Sequence, residues 1–391
     1  MGTAGERAQG STAVGVRQLR ARLRADGRRG RRSRRPGPGR PRLGFGAALL
    51  ESALEGDRAW ARRDHDGAPW RWTVPTGHGG RDLPREAVTV IEAADDLAAV
   101  LDDCGVSRAV IYGTSYGSYL AQAFGVRHPD RVAGMVLDST ILEADKNETS
   151  KTNMRRLFWD GNEPETKGVT AQLRYLVESE AVPVRQTGPV VQTTYEFGGL
   201  AVLERMADNV RSGRLGTWNW VAGLGERELT SVTRHVMEGD LVAGIAFGEL
   251  GFGLGSDGLP LDPNVRFGEL AADAPPFIGE AFDLPASLPE FDWPTAVVSG
   301  ERDMRSPRVN AERAAELIPG ATLVPFDDLG HSLLDTHPLA ALHVAHAVAV
   351  GAQSTLPELA PRIAALPRHG SMAWLGRLID ARVRAERLLP R

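Results

Sequence analysis

A single serine stands between two glycines in the stretch VIYGTSYGSYLAQAF (residues 110–124). A serine hydroxyl is a poor nucleophile, so chemistry at Ser115 needs a neighbouring base, an acid that orients the base, and donors that stabilise the developing oxyanion. The spacing of Gly113, Ser115 and Gly117 is that of G-x-S-x-G, which presents a serine on a sharp turn between a strand and a helix. The alternative is a chance match, because the chain holds 44 glycines. A β-rich run before the motif and a helical pattern after it favour the nucleophile.

Candidates for the acid and the base follow downstream. The order expected after such a serine is an aspartate or glutamate and then a histidine, each just beyond the end of a strand. Asp303 follows the apolar run TAVVSG, and His331 follows ATLVPF. Glu301 is the local alternative to Asp303, and the alternative for His331 is a surface loop histidine without function. This order predicts that His331 takes the proton of Ser115 while Asp303 orients the imidazole.

Regular patterns position these residues. Short apolar runs predict strands at residues 108–113, 132–139, 295–300 and 321–326. Strand, helix and strand with short connections predict an α/β fold, in which a mostly parallel sheet is flanked by helices. The predicted organisation is an Arg-rich, disordered tail at 1–42, an α/β core at 43–141 and 289–352, an inserted helical cap at 142–288, and a C-terminal helical extension at 353–391 that packs on the body or on another subunit.

The composition limits the classes of partner. The chain has 42% hydrophobic and 25% charged residues and a net charge of −4, which is typical of a soluble globular protein. One cysteine excludes an intrachain disulfide, and no segment reaches the ~20 apolar residues of a membrane helix, so we expect a cytoplasmic protein without a membrane anchor. Twelve arginines crowd residues 17–42, but no aromatic residue is interleaved with them, so nucleic-acid binding is not expected. The predicted chemistry requires neither a metal nor a cofactor.

The segment around Ser115 resembles a known family. Residues 93–140 resemble the α/β-hydrolase fold, and within it the prolyl aminopeptidase and tripeptidyl aminopeptidase family, through the run G-x-S-Y-G-x-x-L-A and the later Leu-Asp. SGERDMRSP and DLGHS resemble the acid and histidine segments of that family. The resemblance covers about residues 89–350. It implies a serine hydrolase with a helical cap.

The resemblance also implies residues that bind substrate. A cap glutamate of the family helps to bind the free α-amino group of the substrate, and Glu249 in VAGIAFGELGF corresponds to it. The family's oxyanion loop corresponds to Pro-Gly-Pro-Gly at 36–39, which makes Gly37 and Gly39 candidates for one oxyanion donor. The backbone N–H of Tyr116, the residue after the nucleophile, is the candidate for the other donor. The N-terminal strands are atypical, because arginines replace the strand before this loop and DRAWARR replaces the strand after it.

Three functions remain open at this point. The first is an aminopeptidase-like serine hydrolase that releases N-terminal residues from short peptides through a Ser-His-Asp triad and an acyl-enzyme. The second is an esterase or amidase on small molecules, because the same triad serves many leaving groups. The third is a non-catalytic, degenerate hydrolase whose oxyanion loop is impaired. The expected partner is therefore a short peptide or a small ester or amide.

Overall fold

The structure, a computed structural model, describes residues 42–43, 88–144, 146–230, 243–368 and 372–388. Gly37 and Gly39, together with nearly all of the Arg-rich segment predicted to be a disordered tail, lie outside the described residues. The predictions made for them therefore stay predictions.

Within the described residues, five parallel strands form one sheet in the order β1-β2-β3-β4-β5. The strands are β1 (Arg42–Leu43), β2 (Ala109–Thr114), β3 (Val132–Asp138), β4 (Thr295–Gly300) and β5 (Thr322–Phe326). The predicted α/β class with a parallel sheet is confirmed. Because β2 to β5 run in the same direction, their carboxyl ends meet at one edge, and the segments that begin with Ser115, Ser139 and Glu301 leave the sheet there.

Helices surround this sheet. In chain order they are α1 (Val90–Asp103), α2 (Tyr116–Arg127), α3 (Lys146–Phe158), α4 (Lys167–Glu178), α5 (Val184–Gly198), α6 (Leu200–Arg211), α7 (Gly216–Thr230), α8 (Val265–Ala271), α9 (Leu284–Ser287), α10 (Arg308–Leu317), α11 (Leu333–Thr336), α12 (Pro338–Ala349), α13 (Leu356–Ala364) and α14 (Met372–Leu388). A π-helical turn spans Gly244–Glu249.

The strands alternate their apolar side chains between two helical layers, as the period of two of a buried strand requires. Ile111 and Val297 pack with α1, α2 and α10 on one face. Val110 and Val298 pack with α12 and α13 on the other face. Both faces of the sheet are therefore buried, which explains why its strands read as continuous apolar runs.

A separate buried cluster holds the helices between β3 and β4 together. Most of its members come from α3 to α7, including Trp218, Leu203 and Met206, and Met304 after β4 also belongs to it. The C-terminal helix α14 joins this cluster through Ile379 and Val383, which are fully buried. The extension was expected to pack on the body or on another subunit. In the structure it packs on α5, α6 and α7, which together with α3 and α4 are called the cap helices below.

Two kinds of feature are absent from the described part of the chain. None of its helices is both long enough and apolar enough to cross a membrane. No group of three or more His, Cys, Asp or Glu side chains in that same part of the chain could hold a metal ion.

Candidate active site

Ser115 occupies a strained turn between β2 and α2. Its φ of 52° and ψ of −123° lie in a region that non-glycine residues rarely enter, at a cost of about 1–3 kcal/mol. Two hydrogen bonds hold the turn: Ser115 N–H donates to the carbonyl of Asp138 at 2.9 Å, and Ser118 Oγ donates to the carbonyl of Ser115 at 2.6 Å. The neighbouring strand and the first turn of the helix therefore fix the backbone of the candidate nucleophile.

The two glycines of the motif have different roles. A Cβ at Gly113 would lie 2.1 Å from the carbonyl oxygen of Gly117 and 2.8 Å from the Cβ of Ala121, so α2 can cross β2 this closely only above a glycine. A Cβ at Gly117 would meet no described atom within 4 Å. The close crossing therefore requires a glycine at position 113, and the described atoms set no such steric requirement at position 117.

The backbone N–H of Tyr116 is suited to be an oxyanion donor. Tyr116 is the first residue of α2, where the first N–H groups of a helix have no partner within the helix. Among the described residues this N–H has no hydrogen-bond acceptor. The positive end of the helix dipole adds to its ability to stabilise a negative oxygen.

Asp303 and His331 form a buried pair. His331 Nδ1 lies 3.0 Å from Asp303 Oδ1, and the side chains are 12% and 0% exposed respectively. The same carboxylate oxygen accepts the N–H groups of Arg305 at 3.0 Å and Ser306 at 2.8 Å. Glu301, the alternative acid, is exposed and accepts the N–H of Asp328 at 3.1 Å instead.

The electrostatics of this pair favour a charged imidazole. Burial alone would lower the pKa of His331, but the negative charge and hydrogen bond of Asp303 raise it above the ordinary value. Burial alone would raise the pKa of Asp303, but the charge of His331 and the hydrogen bond from Ser306 N–H lower it below the usual range. Asp303 therefore stays ionised and stabilises the protonated form of His331.

A hydrogen bond between the residue before Ser115 and the residue after His331 joins the two loops. Thr114 Oγ1 donates to Ser332 Oγ at 3.0 Å, which ties the end of β2 to the histidine loop. No hydrogen bond joins Ser115 Oγ to His331 within the described residues. The structure thus brings Asp303 and His331 into direct contact and holds Ser115 on an adjacent loop, and such catalytic contacts often tighten only when substrate binds.

Comparison with known proteins agrees with the sheet and its helices. Residues 65–166 match the family model described as alpha/beta hydrolase fold. The chain has the α/β-hydrolase fold.

Named relatives share only part of the chain. A protein assigned as carbamate hydrolase RutD in Caulobacter vibrioides is 31% identical over 105 residues, which are 25% of this chain and 39% of that protein. The chain thus spans about two fifths of the length of the relatives it matches. Among solved structures, a proline iminopeptidase from Mycobacterium smegmatis is 15% identical, covers 69% of this chain and 76% of its own, and has a TM-score of 0.40. A thermophilic esterase from Thermogutta terrifontis is 22% identical, with coverage of 69% and 74% and a TM-score of 0.34.

The α/β-hydrolase sheet also contributes residues that the sequence prediction missed. Asp138, at the end of β3, is buried and accepts the N–H groups of Leu333 at 3.1 Å and Leu334 at 3.0 Å, just after His331. Ser139 Oγ accepts the N–H of Ser332 at 2.9 Å. The histidine loop is therefore anchored to the end of the central strand. The sequence held one signal for Asp138: like Asp303, it is an aspartate at or just after the end of an apolar strand.

Backbone strain is concentrated at the same edge. Ser139 and Ser332 have φ values of 54° and 63°, so the three adjacent loops each place a serine in the left-handed region. Strain of this kind persists where surrounding contacts over-determine it, and it clusters at functional sites. The hydrogen bonds of Ser332 to both other loops provide that constraint.

Glu249, the predicted amine-binding residue, hydrogen-bonds to the start of α1, and its neighbour Leu250 belongs to a buried cluster against which Tyr116 packs. Glu249 is 7% exposed, and its two carboxylate oxygens lie 3.1 and 3.3 Å from the N–H of Val90, the first residue of α1. Burial raises the pKa of Glu249, while the hydrogen bond from Val90 opposes that rise. Burial and then the charge of Glu249 raise the pKa of the Tyr116 phenol, which is consistent with proximity between the two side chains.

Proposed function

We propose that the protein is a serine hydrolase that releases N-terminal residues from short peptides, with Ser115 as nucleophile, His331 as base and Asp303 as the acid that orients it. One observation carries this proposal. The strained serine turn and the buried Asp303–His331 pair belong to adjacent loops at one edge of an α/β-hydrolase sheet. Pairs of titratable groups whose pKa values are perturbed in this way are concentrated at catalytic sites.

The mechanism follows the chemistry of these groups. Ser115 Oγ attacks the carbonyl carbon of the substrate while neutral His331 accepts its proton. The imidazolium that forms is stabilised by Asp303 and then gives the proton to the leaving amine. Water releases the acyl group from Ser115 by the same route, with His331 again as the base.

The oxyanion formed in each step needs two donors. The N–H of Tyr116 is the proposed first donor, because it lies next to the nucleophile and has no acceptor within the described part of the chain. An N–H group of Gly37 or Gly39 remains the proposed second donor. Removing one such donor costs about 10²–10³ in rate, so the loop at 36–39 decides whether turnover is fast.

The aminopeptidase specificity rests on Glu249. A carboxylate near the nucleophile turn attracts the protonated α-amino group of a peptide, and the effect is large because Glu249 is shielded from water. The contact with Val90 N–H does not preclude this role, since an ionised carboxylate has about four acceptor positions. Short peptides with a free α-amino group are therefore the proposed substrates.

Labelling with a fluorophosphonate probe tests the hydrolase assignment without a known substrate. We expect the folded wild-type protein to be labelled once, at Ser115, and Ser115→Ala to remain unlabelled. Heat-unfolded protein serves as the control for non-specific reaction. Failure of the native wild-type protein to react would support a non-catalytic, degenerate hydrolase instead.

Paired substrates test the aminopeptidase specificity. Alanine or proline arylamides with a free amine should react at least tenfold faster than the same arylamides with an acetylated amine. Glu249→Gln should raise KM for the free-amine substrate and leave the acetylated one unchanged. Glu92→Gln, in the first turn of the same helix that Glu249 contacts, is the matched control and should change neither.

A small-molecule esterase or amidase is the second candidate. The hydrogen bond between Glu249 and Val90 N–H favours it, because that contact gives the carboxylate a structural role that does not depend on an amine. The relative assigned as a carbamate hydrolase is also 31% identical to this chain over 105 residues. Equal rates for blocked and free arylamides, together with faster hydrolysis of short acyl esters, would favour this candidate over the peptidase.

A further inference from the structure

A buried glutamate of the cap contacts the loop that carries the triad acid. Glu196 lies near the end of α5, and its side chain is 1% exposed. Its Oε1 accepts the N–H of Met304 at 3.1 Å, and its Oε2 accepts Nε of Arg305 at 3.2 Å. Burial raises the pKa of Glu196, while the charges of Arg305 and His331 and the hydrogen bond from Met304 N–H oppose that rise. Both oxygens accept a hydrogen bond, one of them from a guanidinium, and these contacts favour the ionised carboxylate.

The cap holds the residue after Asp303 on three sides. The side chain of Met304 belongs to the buried cluster of the cap helices. Its N–H donates to Glu196, and its carbonyl accepts Ser150 Oγ of α3 at 2.6 Å. Both backbone polar groups of Met304 are therefore satisfied by the cap rather than by the sheet, so the position of Asp303 depends on cap helices.

The charges around His331 come from several elements. Burial lowers the pKa of His331, the negative charges of Asp303 and Glu196 raise it, and the positive charge of Arg305 lowers it. On the other side of the histidine loop, the charge of His331 also acts on Asp138 and Asp335. The charged groups that act on the imidazole are therefore Asp303, Glu196, Arg305, Asp138 and Asp335, and the pocket that His331 lines with Glu196 is also lined by Arg302, Asp328 and Arg368.

We propose that Glu196 is a positioning residue, through which the cap fixes the acid loop and adds a second negative charge beside the Asp303–His331 pair. The inference rests on the proposed function of Ser115 and extends it, because it gives the cap a role in holding the acid of the triad. Glu196 touches neither the substrate nor the nucleophile in this scheme. It acts only through the acid loop and the imidazole.

The test measures the rate of fluorophosphonate labelling against pH, which reports the protonation of His331 without a known substrate. Glu196→Gln keeps an acceptor for Met304 N–H and removes the charge. The pH at which labelling is half-maximal should fall by roughly half to one unit, because His331 then loses its proton at lower pH. Ser150→Ala removes a neutral hydrogen bond to the same residue, and it should slow labelling about threefold without moving that pH.

Two further variants complete the design. Glu301→Gln removes an exposed charge two residues from Asp303 and should change neither the rate nor its pH dependence. Glu196→Asp keeps the charge but shortens the side chain, so it should slow labelling and leave the pH dependence in place. It also decides the question if Glu196→Gln does not fold.

The outcomes separate the two proposals. An unlabelled wild-type protein would refute the serine hydrolase itself. If the wild-type protein is labelled and Glu196→Gln has the same half-maximal pH, only the role of Glu196 is refuted. The same conclusion follows if Glu196→Asp shifts the half-maximal pH as much as Glu196→Gln does.

Discussion

Substitution of Gly113 by alanine isolates the close crossing of β2 and α2. The added Cβ would lie 2.1 Å from the carbonyl oxygen of Gly117, about 0.9 Å short of the 3.0 Å that real Cβ atoms keep. It would also lie 2.8 Å from the Cβ of Ala121, so backbone rather than a flexible side chain must move. Displacing a packed helix to relieve such a contact costs about 3 kcal/mol in the free energy of unfolding.

The same displacement should impair the chemistry. The first residues of α2 carry the proposed nucleophile turn and the N–H of Tyr116, and a shift of about 1 Å at reacting groups costs about 10²-fold in rate. We therefore expect Gly113→Ala to lower stability in denaturant unfolding and to slow fluorophosphonate labelling of the fraction that stays folded by about 100-fold.

Gly117→Ala is the matched control within the same motif. Its Cβ meets no described atom within 4 Å, and alanine is the better helix former by about 1 kcal/mol. This variant should be as stable as the wild type or slightly more stable. Equal effects of the two substitutions, or unchanged stability and labelling in Gly113→Ala, would refute the steric argument.

Three other outcomes are expected. Asp303→Asn should reduce the rate of any turnover by about 10⁴, because the amide neither selects the productive tautomer of His331 nor stabilises its charge. Glu301→Gln should leave turnover intact, and steady-state kinetics distinguishes the two variants. The rate of labelling should rise with pH and be half-maximal above pH 6.5, the ordinary histidine pKa, because the pKa of His331 is raised and only its neutral form accepts the proton. A half-maximal pH below 6.5 would contradict the pairing with Asp303. Ile379→Ala, which opens a cavity in the cap cluster, should lower the free energy of unfolding by about 3 kcal/mol in denaturant titration, whereas Leu378→Ala, at a side chain that is 48% exposed, should change it little.

The elements around the candidate site could be predicted because their signals are local. Continuous apolar runs predict the four long strands, and the turn at Ser115 is encoded in a pentapeptide with a strand before it and a helix after it. The pairing of Asp303 with His331 followed from chain order and position after strands, and the two side chains are in contact in the structure. The motif does not say which of its two glycines the close crossing requires, because that depends on the atoms of α2 that lie over the end of β2.

Other parts of the site could not be read from the sequence. Glu196 stands in an ordinary helical stretch more than a hundred residues before Asp303, and only the packing of α5 on the acid loop brings its carboxylate to the N–H of Met304. The sequence also did not predict that α14 packs on the cap helices, because an amphipathic pattern shows which face of a helix is apolar but not which element covers that face. Asp138 carried a weak signal at a strand end, and its contacts with the histidine loop depend on the order of the strands.

The sequence by itself determined the fold class, the identity of the candidate nucleophile, acid and base, and their order along the chain, because each depends on residue type and on contacts with near neighbours. The tertiary structure decided which glycine bears the close crossing, which loops share hydrogen bonds, and which charges surround His331. Those properties arise from side chains that are distant in sequence and come into contact only in the folded chain. Because these side chains are buried, water screens them little, so each charge and each hydrogen bond has a larger effect on the free energy.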